Sequence, residues 1–149
     1  ELSHYIKDSA IPHTTFNPNV IEQSIYNSFK ENTSKTKDIE SFYKNIKDII
    51  SNGSWDLEMY DLYSMIRKST REHGTGTRIE GLSKGRAVLV DDVATTGGSN
   101  IESIKILTDE DVEVLMVLVV VDREEGAAEC MAPLNLEYKS LFLISDLVN

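Results

Sequence analysis

Cysteine is nearly missing from this 149-residue chain. Cys130 stands alone, so no internal disulfide can form and a reducing compartment fits. Positive charge is scarce as well. Against 25 Asp and Glu there are 15 Lys and Arg, a formal net charge of −10. Such a balance repels nucleic acid and anionic membranes at long range, and the basic residues form no continuous stripe. Long apolar runs are also lacking. The longest, Val112–Val121, is broken by Glu113 and falls far short of the ~20 residues that a bilayer span needs. No basic-then-apolar stretch opens the sequence, so a soluble protein of the cytoplasm is expected. His4 and His13 have no Cys or His partner at metal-ligand spacing, which argues against a structural zinc site. No repeat or low-complexity tract occurs. What remains, 40 % hydrophobic and 27 % charged, is ordinary globular composition with enough length for one core, so 1–149 is expected as a single domain.

The chain changes character near residue 53, dividing a helical part, 1–53, from a core, 62–149. Asn17-Pro18 is a helix cap followed by proline at the first helical position, where a missing N–H costs nothing. Ile21, Ile25 and Phe29 then recur every fourth residue and line one helix face. After a polar break at Asn32–Thr36, a second stripe of Ile39, Phe42, Tyr43, Ile46, Ile49 and Ile50 ends at Asn52-Gly53. Asp61–Lys68 is expected as a strand. Arg71–Lys84, with Gly74, Gly76 and Gly81 among polar residues, is expected as a mobile loop or hairpin. Arg86–Asp91 is a short β-rich run, and Ser99–Leu107 carries Ile101, Ile104 and Leu107 on one helical face. Glu113–Val121 is a Val/Leu strand of the kind buried on both sides of a sheet. Gly126–Met131 makes a short helix and Glu137–Ile144 a last strand. This alternation argues for an α/β fold, an open and mostly parallel sheet flanked by helices.

The densest chemistry lies in Val88-Leu89-Val90-Asp91-Asp92-Val93-Ala94-Thr95-Thr96-Gly97-Gly98-Ser99. An apolar strand ends in two adjacent carboxylates, and a turn of small residues then runs into a helix. In an open α/β sheet, ligands bind beyond the carboxyl ends of the strands. Thr95–Ser99 offers consecutive backbone N–H groups at a helix N-terminus, an arrangement that binds phosphate through fixed donors and the helix dipole. The hydroxyls of Thr95, Thr96 and Ser99 add donors. Asp91 and Asp92 are poor phosphate ligands but suit a sugar diol, either directly or through Mg²⁺, which prefers carboxylate and phosphate oxygens. Phosphate donors beside diol acceptors describe a ribose 5-phosphate. The glycine–lysine signature of an ordinary P-loop is lacking. By composition alone the two acids need only end a strand; the full order of strand, acids, small turn and helix is far more specific. A second cluster supplies cations: Arg67, Lys68, Arg71, His73 and Arg78 fall within twelve positions.

Val90–Ser99 resembles the phosphoribosyl pyrophosphate (PRPP) binding motif of type I phosphoribosyltransferases. Arg67-Lys68-Ser69-Thr70-Arg71-Glu72-His73-Gly74-Thr75-Gly76, followed by Ile79-Glu80-Gly81, resembles the mobile catalytic loop of orotate phosphoribosyltransferases. Val121-Asp122-Arg123-Glu124-Glu125-Gly126-Ala127 resembles the segment with which that family holds orotate. The order and rough spacing are the family's, over about residues 62–149. The resemblance implies transfer of ribose 5-phosphate from PRPP to orotate, giving orotidine 5′-monophosphate and pyrophosphate in pyrimidine synthesis. It also implies Mg²⁺, bound mainly through substrate, and a homodimer in which Arg67 reaches the neighbouring subunit's site.

Arg71, His73, Asp91 and Asp92 would then be the catalytic set. Negative charge builds on the departing pyrophosphate, so cations placed there are worth most as the bond breaks. By the resemblance Lys68, Arg71 and His73 supply them. The family usually has lysine where this chain has Arg71; the charge survives, but a planar guanidinium holds the leaving group differently. Gly74 and Gly76 would let the loop open and close. Asp91 and Asp92 would contact the ribose hydroxyls and Thr95–Ser99 the 5′-phosphate, with Val93 and Ala94 also against PRPP and Thr95 touching the base too. Arg123 would pair with the orotate carboxylate through its planar fork. From its neighbours alone, Arg123 can equally pair with Glu124 or Glu125.

Residues 1–60 resemble the family little, beyond a faint likeness of Ser3–Ser9 to a segment near the base. The family's early core strand, with a glycine-paired loop on the pyrophosphate, has no counterpart between Phe29 and Met65. Two other functions therefore stay open. One is a purine phosphoribosyltransferase, against which His73-Gly74-Thr75-Gly76 and Asp122-Arg123 speak. The other is a non-catalytic regulator that binds PRPP or a nucleotide, supported by the shortened N-terminal half.

Overall fold

A computed structural model describes residues 4–7, 18–33, 39–52, 63–66, 79–80 and 85–148. In chain order the elements are β1 (His4–Lys7), α1 (Pro18–Thr33), α2 (Ile39–Asn52), β2 (Tyr63–Ile66) and β3 (Ile79–Glu80). Then come β4 (Gly85–Ala94), α3 (Gly98–Asp109), β5 (Val112–Asp122), α4 (Ala127–Met131), β6 (Glu137–Leu143) and α5 (Ile144–Leu147). A single 3₁₀ turn, Ala132–Leu134, joins α4 to β6.

The strands form one sheet in the order β3-β2-β1-β4-β5-β6. β4, β5 and β6 are parallel neighbours, as the strand–helix alternation predicts. β1 pairs antiparallel with both β4 and β2, and β3 antiparallel with β2, so β2 runs in the same direction as β4. The parallel sheet with flanking helices is thus present, and an antiparallel half extends it. The sequence pattern does not predict β1, because four residues are too short for an apolar period to register.

Both faces of the sheet are covered. On one, Ile25 and Phe29 of α1 and Phe42 and Ile46 of α2 pack on Val88, Val90, Met116, Leu118 and Val120. On the other, Ile104 and Leu107 of α3 and Ala127 and Met131 of α4 pack on Ala87, Leu89, Val117 and Val119. Each fully buried aliphatic side chain of this kind contributes roughly 1.5–3 kcal/mol. A β-bulge keeps the two layers in step. Ala87 faces Val114 but Val88 faces Met116, so Leu115 is an extra residue. The insertion reverses the alternation of β5, which places Val112 and Val114 on the same side as Val117 and Val119. No helix among the described residues is long and apolar enough to cross a membrane.

The sheet also aligns the strand ends. Ala94 lies opposite Asp122, and Asp122 opposite Leu143. The loops that leave β4 and β5 therefore emerge side by side, where ligands of open α/β sheets collect.

Candidate active site

β4 runs further than its apolar residues suggest. The β-rich run of the sequence ends at Asp91, but ladder pairing with β5 carries the strand through Asp92 and Val93 to Ala94. The turn is only Thr95, Thr96 and Gly97, and α3 starts at Gly98. Gly97 is the N-cap with φ +81°, and no side chain caps the helix. Its carbonyl accepts the first helical hydrogen bond, from the Ile101 N–H at 3.1 Å. Among the described residues no backbone carbonyl accepts from the N–H groups of Thr95 to Ser99. Such unpaired donors at a helix start, with the positive end of the helix dipole behind them, form an anion site.

Glycine at position 97 is required twice over. Its left-handed backbone strains any L side chain. A Cβ there would also meet the Met131 Cε at 3.0 Å and the Ala127 Cα at 3.3 Å. The turn therefore rests directly on α4.

The two acids differ in surroundings. Asp91 is 6 % exposed, whereas Asp92 is half-buried. Asp91 Oδ1 accepts the Asp92 N–H at 3.0 Å, and its Oδ2 accepts from Asn100 Nδ2 at 2.8 Å. Asp92 Oδ1 accepts the Val93 N–H at 2.8 Å. Burial, and then the neighbouring Asp92 carboxylate, push the Asp91 carboxyl up from 3.8 to about 7. A carboxyl raised that far, beside an anion cradle, is the kind of perturbed group that binding sites gather. Among the described residues no group of three or more His, Cys, Asp or Glu gathers to hold a metal ion.

The second loop is fastened to the first. The Arg123 N–H donates to the Ala94 carbonyl at 2.9 Å, bridging the ends of β4 and β5. Asp122, 6 % exposed, braces the bend. Its Oδ1 accepts the Glu124 N–H at 2.7 Å and its Oδ2 accepts from the Tyr138 hydroxyl at 2.8 Å. Burial and that hydrogen bond to Asp122 raise the Tyr138 hydroxyl well above the usual phenol range. Glu124 sits at φ +58° and accepts the Ser145 N–H at 3.1 Å. The Arg123 guanidinium meets Glu125 at 2.9 Å, with side chains 50 % and 42 % exposed. An ion pair so open to water holds by about 0–1 kcal/mol, so a better anion can displace it.

The cation cluster of Arg67, Lys68, Arg71 and His73 lies outside the described residues, as do Gly74 and Gly76. Its anchors are described. Ile66, the last residue of β2, pairs with Ile79, the first of β3, so residues 67–78 leave and rejoin the sheet at one point. Met65 and Val90 both pair with His4, which sets that point level with the acid end of β4. Two strand spacings, about 10 Å, separate β2 from β4.

Three site residues, Asn100, Asp122 and Tyr138, have roles that the sequence pattern does not reveal. Asn100 is wholly buried on the stripe that also carries Ser103, Ile104 and Leu107. A polar residue on an otherwise core-facing stripe is the available signal. The bracing contact of Asp122 and Tyr138 has none, since it spans sixteen residues.

No family model matches the chain. The orotate phosphoribosyltransferase of Rhodopseudomonas palustris (strain BisB5) is 43 % identical over 90 residues, covering 56 % of this chain and 48 % of that protein. That of Pyrococcus abyssi (strain GE5 / Orsay) is 52 % identical over 85 residues, covering 56 % and 47 %. The crystal structure of Mycobacterium tuberculosis H37Rv orotate phosphoribosyltransferase with Fe(III) dicitrate superposes with a TM-score of 0.53 at 38 % identity, covering 58 % of this chain and 50 % of that one. The same enzyme in complex with PRPP gives a TM-score of 0.50 at 37 % identity, over 56 % and 48 %. The chain spans about half the length of the curated relatives it matches. Over the shared part, the likeness to orotate phosphoribosyltransferases and to the type I architecture is established.

Proposed function

We propose that this protein transfers ribose 5-phosphate from PRPP to orotate, in the cytoplasm and as a step of pyrimidine synthesis. The observation that carries the reading is the row of unpaired N–H groups at Thr95–Ser99, set beside Asp91 and Asp92. The 5′-phosphate sits on those amides at the start of α3, helped by the hydroxyls of Thr95, Thr96 and Ser99. Asp91 and Asp92 accept from the ribose hydroxyls, which fixes the ring and aims C1′ at the base. Arg123, held beside Ala94 and hence beside Thr95, exchanges Glu125 for the orotate carboxylate. A base without that carboxylate leaves the arginine on its own glutamate, which favours orotate over uracil.

The C1′–O bond to pyrophosphate then breaks with its electron pair on the leaving oxygen. N1 of orotate forms the new bond to C1′, and its proton passes to the released pyrophosphate. Lys68, Arg71 and His73, on the segment rooted level with Asp91, meet the charge that develops on the pyrophosphate. Arg67 does so from a second copy, in a homodimer. Mg²⁺, carried mainly by the substrate, would offset negative charge on the diphosphate; the protein's own part is to hold the sugar and the base.

Initial-rate assays with PRPP, Mg²⁺ and each base in turn test the reading. Orotidine 5′-monophosphate from orotate, and no nucleotide from hypoxanthine, is expected. Product from hypoxanthine alone would mean a purine transferase. PRPP binding without turnover of any base would mean a regulator.

A further inference from the structure

We propose that Asn100 is a positioning residue, its buried side-chain amide fixing the Asp91 carboxylate in the orientation that receives a ribose hydroxyl. The proposal rests on the phosphoribosyl reading above. Asn100 is 0 % exposed, three residues into α3, on the face that otherwise packs into the core. Its side chain has a single described hydrogen bond, from Nδ2 to Asp91 Oδ2 at 2.8 Å. Its Oδ1 is buried without a hydrogen-bond partner. A leucine would fill similar volume there and pack as well, at the expense of Asp91 Oδ2, which would lose its described side-chain donor. What the amide does supply is a grip on one acid.

The Asp92 N–H already holds Asp91 Oδ1 at 3.0 Å, from within the strand. Asn100 holds the other oxygen from the helix. Two donors on different elements remove the rotation of the carboxylate about its Cβ–Cγ bond, which an unsupported acid would keep. Asn100 also belongs to the same first turn as Gly98 and Ser99. Through this one side chain the sugar-binding acid and the phosphate-binding turn are tied at a fixed separation. The spacing suits a ligand whose phosphate and hydroxyls are covalently joined, as in ribose 5-phosphate, and is irrelevant to phosphate alone.

That difference provides the test. Titration calorimetry on the full chain would compare ribose 5-phosphate with inorganic phosphate, in the wild type, Asn100→Leu and Asn100→Ala. Loss of a hydrogen bond to a charged group predicts that ribose 5-phosphate binds about ten-fold more weakly to both variants. Inorganic phosphate should bind all three proteins alike, since the amides at the start of α3 are untouched; thermal melts, lowered by the donor that Asp91 loses, show that each variant is folded under the assay conditions. An unchanged ratio of the two affinities in any folded variant overturns the positioning role, and so does an equal loss for both ligands. If the wild type binds no ribose 5-phosphate at all, the phosphoribosyl reading itself fails, and this inference with it.

Discussion

Replacing Asp91 with asparagine is expected to stabilise the fold above neutrality while weakening the hold on ribose. Burial and the adjacent Asp92 raise the Asp91 carboxyl from 3.8 to about 7. Between those values the folded protein keeps a proton that the unfolded chain has released, so stability falls as the pH rises through the window and levels off above about 7. From pH 5 to pH 7 the loss is at most about 2.7 kcal/mol, at 1.36 kcal/mol per unit. Halving it for relaxation and residual solvation leaves about 1.4 kcal/mol, or about 3–6 °C in melting temperature for a chain of this size. An asparagine at 91 carries no charge to desolvate. With its oxygen kept on the Asp92 N–H, its amide faces Asn100, whose side chain can turn so that the unpartnered Oδ1 accepts it. Thermal melts of both proteins from pH 4.5 to pH 8.5 provide the assay. The variant's advantage should grow by about 3–6 °C between pH 5 and pH 8. Parallel curves across that range, or a variant that is the less stable at pH 8, would refute the reasoning.

Gly97→Ala forces a side chain onto a φ of +81° and against α4, with the Met131 Cε 3.0 Å away. A cost of about 2–3 kcal/mol is expected, seen as a melting point lower by about 4–12 °C, and an unchanged melting point would contradict it. Tyr138→Phe strips Asp122 Oδ2 of its donor and loosens the bend that carries Arg123. Initial rates should show KM for orotate raised several-fold and KM for PRPP unmoved; equal rises in both would place the effect elsewhere. Arg71→Ala should lower kcat far more than PRPP affinity, measured by assay and calorimetry together, if this arginine acts on the departing pyrophosphate.

Much of the fold is legible where side chains repeat. Pro18 opens α1, and Ile25, Phe29, Phe42 and Ile46 are buried as their spacing requires. The Val/Leu run of β5 is a central strand with parallel neighbours on both sides. Elements set by pairing are harder to foresee. β1 is short, and its place between β2 and β4 depends on partners distant in sequence. The extension of β4 through Asp92 and Val93 comes from the ladder with β5 rather than from any apolar signal. In the candidate site, the order of strand, acids, small turn and helix is visible directly. The Arg123–Ala94 bridge is not, because it arises from the register of two parallel strands. Nor is the unequal burial of Asp91 and Asp92, since only a packed α3 with Asn100 on its inner face separates them.

The most direct test of the account is an amide-resolved NMR titration of the isotope-labelled chain with PRPP and Mg²⁺. Saturable shifts concentrated on the Thr95, Thr96, Gly97, Gly98 and Ser99 amides, with the Arg123 guanidinium responding only once orotate is added, are the predicted result. PRPP that binds yet leaves those five amides unmoved would contradict it.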